Sequence, residues 1–144
     1  MKVGFTGTQQ GLTHKQSKAL DEVLLAGYPI TEFHHGDCIG ADKEACDKIA
    51  SAYGHENIVC HPPTNISKRA YVRSGHYRDA KAYLDRNHDI VDETGILIGC
   101  PKESQEVLRS GTWATIRYAM KTGKLVIIVY PDGSLADDVS FKQN

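Results

Sequence analysis

"RSGTWATIRYAMKTGKLVIIVYPDG", Arg109 to Gly133, holds the pattern from which the fold is read. Trp113, Ile116 and Met120 recur at helical spacing up to Gly123, a residue suited to stop a helix. Leu125 to Tyr130 then form an apolar run closed by Pro131-Asp132-Gly133, which is turn chemistry. That run lacks the two-residue alternation of a sheet with one wet face, so it reads as a strand covered on both sides. A helix followed by a doubly covered strand is the repeating unit of a parallel sheet.

The unit recurs upstream. "KVGFT" reads as a strand leading into the turn "GTQQG", and "THKQ" (Thr13 to Gln16) has the form of a capping box. Leu20, Val23 and Leu24 follow at helical spacing towards Gly27. "TEFHHG" is a second short strand, followed by the turn "GDCIGAD". Ala41, Ala45, Ile49 and Ala52 then share a narrow helix face that ends at Gly54. "NIVCH" is the third strand, stopped by Pro62-Pro63, and "GILIGC" the fourth, followed by "KESQEVLR" as a loop. Residues 64–79 are polar and resist assignment; residues 77–94 have helical periodicity, as one helix or as two with Asp85 capping the second. The expectation is an open, mostly parallel sheet of about five strands with helices on both faces. One domain over residues 1–133 is expected, with residues 134–144 as a C-terminal tail carrying no clear signal.

A formal net charge of -1 argues against a general polyanion binder held by bulk attraction. No apolar run approaches the length of a membrane span, and the first residues lack the regions of a signal peptide, so no membrane partner and a cytoplasmic location are expected. Cys38, Cys46, Cys60 and Cys100 have no C-x-x-C spacing and read as buried, reduced thiols. The pairs His34-His35 and Cys60-His61 invite a metal, but neighbours on a strand point to opposite faces. No metal and no cofactor are expected.

Open parallel sheets bind ligands at the carboxyl ends of their strands, where the strand order reverses. Three strand-to-helix segments carry small residues and hydroxyls there: "TGTQQG" with Thr6, Gly7, Thr8 and Gln9; "GDCIGAD" with Gly36, Asp37, Gly40 and Ala41; and "RSGTW" with Arg109, Ser110, Gly111 and Thr112. Glycine lets the backbone approach a ligand, and a helix N-terminus offers unpaired N–H donors at a positive dipole end. Arg109 adds a planar fork suited to phosphate. Neither G-x-G-x-x-G nor a P-loop is present. "RSGT" therefore reads as a phosphate cradle, with an ordinary helix cap as the competing reading.

At these residues the chain resembles the SLOG superfamily, which groups the DNA-processing protein DprA with the LOG nucleotide hydrolases. The resemblance runs from "GFTGT" through "HGDCIGAD" and "RNHDIV" to the opening stretch. It implies a three-layer Rossmann-like sheet, a pocket for a nucleotide or nucleotide-derived ligand, and a homodimer or larger homo-oligomer. It also implies phosphate contact for Arg86 and a backbone or base contact for Asn87. LOG enzymes cleave the N-glycosidic bond of nucleoside monophosphates with a glutamate whose position here falls on Thr115, which cannot ionise. Asp37 and Asp42 flank the second turn and are the candidate replacement acids; each can instead hold ribose hydroxyls, and Asp42 can simply complement a helix dipole.

Trp113 is read as packing rather than base stacking. Lys68, Arg69, Arg73, Arg78, Lys81 and Arg86 cluster with Tyr71, Tyr77 and Tyr83 interleaved; a solvated face is the ordinary reading, and a nucleic-acid face or a flap over an anionic ligand the alternatives. Three functions follow in order: a nucleotide-type binding pocket, a nucleotide N-glycosidase with a non-standard acid, and a DprA-like binder of single-stranded DNA.

Overall fold

The computed structural model describes residues 1–27 and 29–137. The elements run β1 (Lys2–Gly7), α1 (His14–Leu24), β2 (Glu32–His35), α2 (Ala41–Tyr53), β3 (Ile58–Cys60), β4 (His76–Tyr77), α3 (Tyr83–Asp92), β5 (Ile96–Cys100), α4 (Gly111–Lys121), β6 (Leu125–Val129) and β7 (Leu135–Asp137). A short 3-10 turn, Ile66–Lys68, lies between β3 and β4. The seven strands form one sheet in the order β4-β3-β2-β1-β5-β6-β7. All neighbours are parallel except β6 and β7.

The mostly parallel α/β architecture is as expected, but the sheet has seven strands rather than about five. Both additions are edges. β4 is two exposed residues, and β7 pairs with β6 through Leu135, itself exposed. Edge strands with a wet face carry little apolar signal. β7 also removes residues 135–137 from the expected tail; residues 138–144 lie outside the described residues. The ambiguous stretch 77–94 contains one helix, α3, beginning at Tyr83 with Ala82 as its N-cap, so Asp85 caps nothing. Residues before it run extended beside β3: the Arg78 amide donates to the Cys60 carbonyl at 2.8 Å and the Lys81 amide to Pro62 at 3.2 Å. Those long-range bonds override the local helical periodicity.

Helices α1 and α2 cover one face, where Leu20, Leu24, Ala45 and Ile49 pack on Val3, Phe5, Phe33, Ile58 and Ile98. Helices α3 and α4 cover the other, where Ile90, Val91, Trp113, Ile116 and Ala119 pack on Leu97, Val126 and Ile128. Adjacent Leu97 and Ile98 thus enter opposite layers, which is why β5 carries no alternation. α1 opens with the capping box: Thr13 Oγ1 accepts from the Gln16 amide at 3.0 Å, and Gln16 Oε1 from the Thr13 amide at 3.3 Å. Gln16 is fully buried, and its Nε2 donates to the carbonyls of Pro101 and Val129, both at 2.8 Å. One side chain so ties α1 to the carboxyl ends of β5 and β6. All four cysteines are buried and none is in a disulfide.

Candidate functional site

Strand order reverses between β1 and β5: the chain leaves β1 towards α1 on one face and β5 towards α4 on the other. Such a switch point opens a crevice at the strand ends. A cleft of about 600 Å³ lies there. It is lined by Thr6, Gly7, Thr8 and Gln9 after β1, by Gly36 and Asp42 around the second turn, and by Arg86 and Asn87 of α3. Arg109, Ser110, Gly111 and Thr112, at the start of α4, complete the set of residues expected from sequence that meet there.

Asp37, Gly40 and Ala41, read from sequence as ligand contacts, do not line it. Asp37 is fully buried in a left-handed conformation (φ 57°). Its Oδ2 accepts from Arg69 Nε at 2.6 Å and its Oδ1 from the Val72 amide at 2.8 Å. Its carboxylate therefore anchors the 69–72 segment, and a catalytic role has no geometric basis. Gly40 and Ala41 hold the turns together instead. The Ala41 amide donates to the Thr8 carbonyl at 2.9 Å, and a Cβ on Gly40 (φ 92°) would lie 2.4 Å from the Gln9 carbonyl oxygen. A Cβ on Gly7 would lie 2.5 Å from Ala41 Cβ. At Gly40 glycine is needed because two backbones touch, and at Gly7 because Ala41 packs against it.

Arg86 is the central cation. It is 4% exposed. Its Nη1 donates to the carbonyls of Gly36 and His61, the latter at 3.1 Å, and its Nε donates to Asn87 Oδ1 at 2.7 Å. Its Nη2 has only the Cys38 sulfur, at 3.7 Å. Tyr83 stacks below the guanidinium, 5.2 Å from ring centroid to Cζ. No carboxylate pairs with Arg86, Lys102 or Arg109 among the described residues, although all three line the cleft. A buried guanidinium with an uncommitted edge favours an incoming anion.

The α4 start supplies donors. Ser110 is the N-cap and accepts from the Trp113 amide at 3.2 Å, leaving the amides of Gly111 and Thr112 at the positive end of the helix. Trp113 is buried in the core and donates from Nε1 to Glu103 at 3.1 Å, so it packs rather than stacks on a ligand. Thr115 is buried, and its hydroxyl donates to the Gly111 carbonyl at 2.9 Å inside the helix. No acidic group stands at this position.

Asp42, the second residue of α2, is the buried acid of the cleft. Its Oδ2 accepts from the amides of Gly36 at 3.0 Å and Cys38 at 3.4 Å. Burial raises its pKa to about 6, against the opposing pull of Arg86 and these two N–H groups. Burial likewise pushes the Cys38 thiol up to about 11, so it is a neutral group at this wall.

Sequence reasoning missed Leu84, Lys102, Glu103 and Val107, which line the cleft together with Tyr83 of the basic and aromatic cluster. The segment "KESQEVLR" read as a loop. Its start immediately after a strand carboxyl end was the available signal. Of the basic cluster, Arg69 pairs with Asp37, Arg78 with Glu93 and Lys81 with Asp89, while Lys68 and Arg73 are exposed and make no ion pair among the described residues.

No protein-family model matches the chain, and no curated protein sequence does. Solved structures do. A molybdenum cofactor binding protein from the phototrophic bacterium Rippkaea orientalis superposes with a TM-score of 0.67 at 19% identity, over 99% of this chain and 82% of that one. The structural-genomics target TM1055 gives a TM-score of 0.59 at 15% identity, over 88% and 72% of the two chains. DNA processing protein A of Helicobacter pylori, described for its single-stranded DNA binding, gives 0.57 at 18% identity, over 89% and 64%. Among the described residues, no helix is long and apolar enough to cross a membrane. The switch-point cleft, the order of the strands and these superpositions lead to one conclusion: this chain shares the Rossmann-like α/β fold of those three proteins.

Proposed function

We propose that the cleft binds a nucleotide or nucleotide-derived ligand, with a phosphate resting on the first amides of α4 and on the free edge of Arg86. The observation that carries this is Arg86 itself: a 4% exposed guanidinium with no carboxylate partner among the described residues, lining the same cleft as the α4 N-terminus. Thr112 and Arg109 add a hydroxyl and a second charge at that end, and Lys102 a third cation. The apolar parts of Tyr83, Leu84 and Val107 offer a wall for the flat end of such a ligand. The structural likeness to a cofactor-binding protein supports a small-molecule occupant.

Titration calorimetry and thermal denaturation with AMP, ADP-ribose, cyclic nucleotides and a phosphorylated pterin test the reading. At ligand about one hundred times its Kd, stability rises by about 2.7 kcal/mol. No shift with any member of the panel removes the proposal.

A second reading, N-glycosidic hydrolysis, is favoured by one feature only: Asp42 lines the cleft with a pKa of about 6, in the range of a general acid. Release of free base from nucleoside monophosphates, lost in Asp42→Asn, is the outcome that would support it. Base release that survives the substitution rejects Asp42 as the acid.

A further inference from the structure

The adjacent histidines of β2 diverge as expected, but each meets a residue reached through β3. On one side of the sheet His34 Nδ1 lies 2.8 Å from His61 Nε2. Both rings are buried. His34 Nε2 lies 2.8 Å from Glu32 Oε1, and His61 Nδ1 lies 3.9 Å from Glu93 Oε2. Arg78 holds the other oxygen of Glu93 from Nε at 2.9 Å and Nη2 at 2.8 Å. Lys2 approaches Glu32 at 3.9 Å.

Glu32 requires His34 to carry its hydrogen on Nε2, so neutral His34 presents a lone pair at Nδ1. That lone pair faces His61 Nε2 at 2.8 Å, where an ion can take the place of the one hydrogen the two ring nitrogens share. Arg78 engages Oε1 of Glu93, and Oε2 is the oxygen on the histidine side.

We infer that His34, His61 and Glu93 bind a divalent transition-metal ion, with Glu32 orienting His34 from behind. One ligating atom from each of the three lies within 4.8 Å of the others. Glu32–His34 is the carboxylate–histidine arrangement that fixes the tautomer of a metal ligand. Two nitrogens on a tetrahedral ion stand about 3.3 Å apart, so the rings separate by about 0.5 Å on binding. Two imidazoles and a carboxylate suit zinc, cobalt or nickel over magnesium or calcium. Glu93 and Arg78 are partly exposed, which gives the ion a route from solvent. This site is separate from the cleft, whose lining includes none of the four residues.

The experiment uses the full chain freed of metal with chelator and titrated with cobalt(II), then zinc(II). One equivalent of cobalt is expected to bind with the visible absorption of low-coordinate cobalt, and zinc to displace it. His61→Gln is expected to abolish binding. Glu93→Gln, at the exposed end, is expected to remove the spectrum while the circular dichroism is unchanged. Glu32→Gln weakens affinity by about tenfold or more. Failure to bind one equivalent, or binding unaltered in both Glu93→Gln and His61→Gln, overturns the inference and leaves a hydrogen-bonded histidine pair.

Discussion

The Arg86 guanidinium donates to the carbonyl of Gly36, and so ties helix α3 to the turn after β2 across the mouth of the cleft. A Cβ on Gly36 would lie 2.7 Å from Arg86 Cζ, so this contact is also the reason for glycine at that position. The same side chain closes the fold, and its Nη2 has only the Cys38 sulfur, at 3.7 Å, as a hydrogen-bond partner among the described residues.

Arg86→Ala is therefore expected to lose both functions. Two buried carbonyls, of Gly36 and His61, lose their donor, at a cost of about 2–4 kcal/mol. Arg86→Lys keeps a charge but not the planar fork, and should recover part of the stability with little of the phosphate affinity. Urea denaturation and calorimetry with ADP-ribose separate the two effects.

Arg109→Ala and Ser110→Ala should behave in opposite ways. Arg109 is exposed and makes no ion pair among the described residues, so its removal should change stability by no more than about 0.5 kcal/mol while weakening ligand binding severalfold. Ser110 caps α4, and its loss costs about 1 kcal/mol of stability whether or not ligand is present. Equal behaviour of the two variants in paired denaturation and binding measurements would contradict the cradle.

Asp42 makes the site pH-dependent. Its folded pKa, about 6, stands above its ordinary value of 3.8 because of burial. Its contribution to stability is thus complete below about pH 4 and is lost as pH rises through about 6. Asp42→Asn keeps an oxygen for the Gly36 and Cys38 amides and cannot ionise. It should become the more stable protein as pH rises from 4 to 7, by at most about 3 kcal/mol. Affinity for an anion of constant charge should rise in the parent as pH falls from 7 to 5 and stay flat in the variant. Denaturation and binding at a series of pH values check both.

Asp37→Ala should destabilise the fold by about 2–3 kcal/mol, because it removes the partner of Arg69 and of the buried Val72 amide. Its effect on ligand affinity, measured well below the denaturation midpoint, should be small. A large loss of affinity in a folded Asp37→Ala protein would place that carboxylate back in the site.

Gly40→Ala should be a costly single methyl. Its φ of 92° and the 2.4 Å approach to the Gln9 carbonyl combine backbone strain with a clash that flexible atoms cannot relieve. A loss of more than about 2 kcal/mol in thermal denaturation is expected.

Much of this was legible in the chain. Doubly apolar strands, the Thr13–Gln16 capping box, the Gly54 stop and the "RSGT" helix start each follow from residues within a few positions of one another. Local chemistry is enough for them, because helix caps and strand periodicity involve near neighbours. The three turns converge for the same reason: alternating helices and strands leave their carboxyl ends on one side of the sheet.

What only the folded chain decided is which side chains are already engaged when a ligand arrives. Asp37 and Asp42 are five positions apart in similar company, yet one is taken by Arg69 and the other lines the cleft. His34 and His61 meet although 27 positions separate them. Edge strands β4 and β7 form on partners already in place. Each of these depends on contacts between residues far apart in sequence, and such contacts leave no periodicity along the chain by which to foresee them.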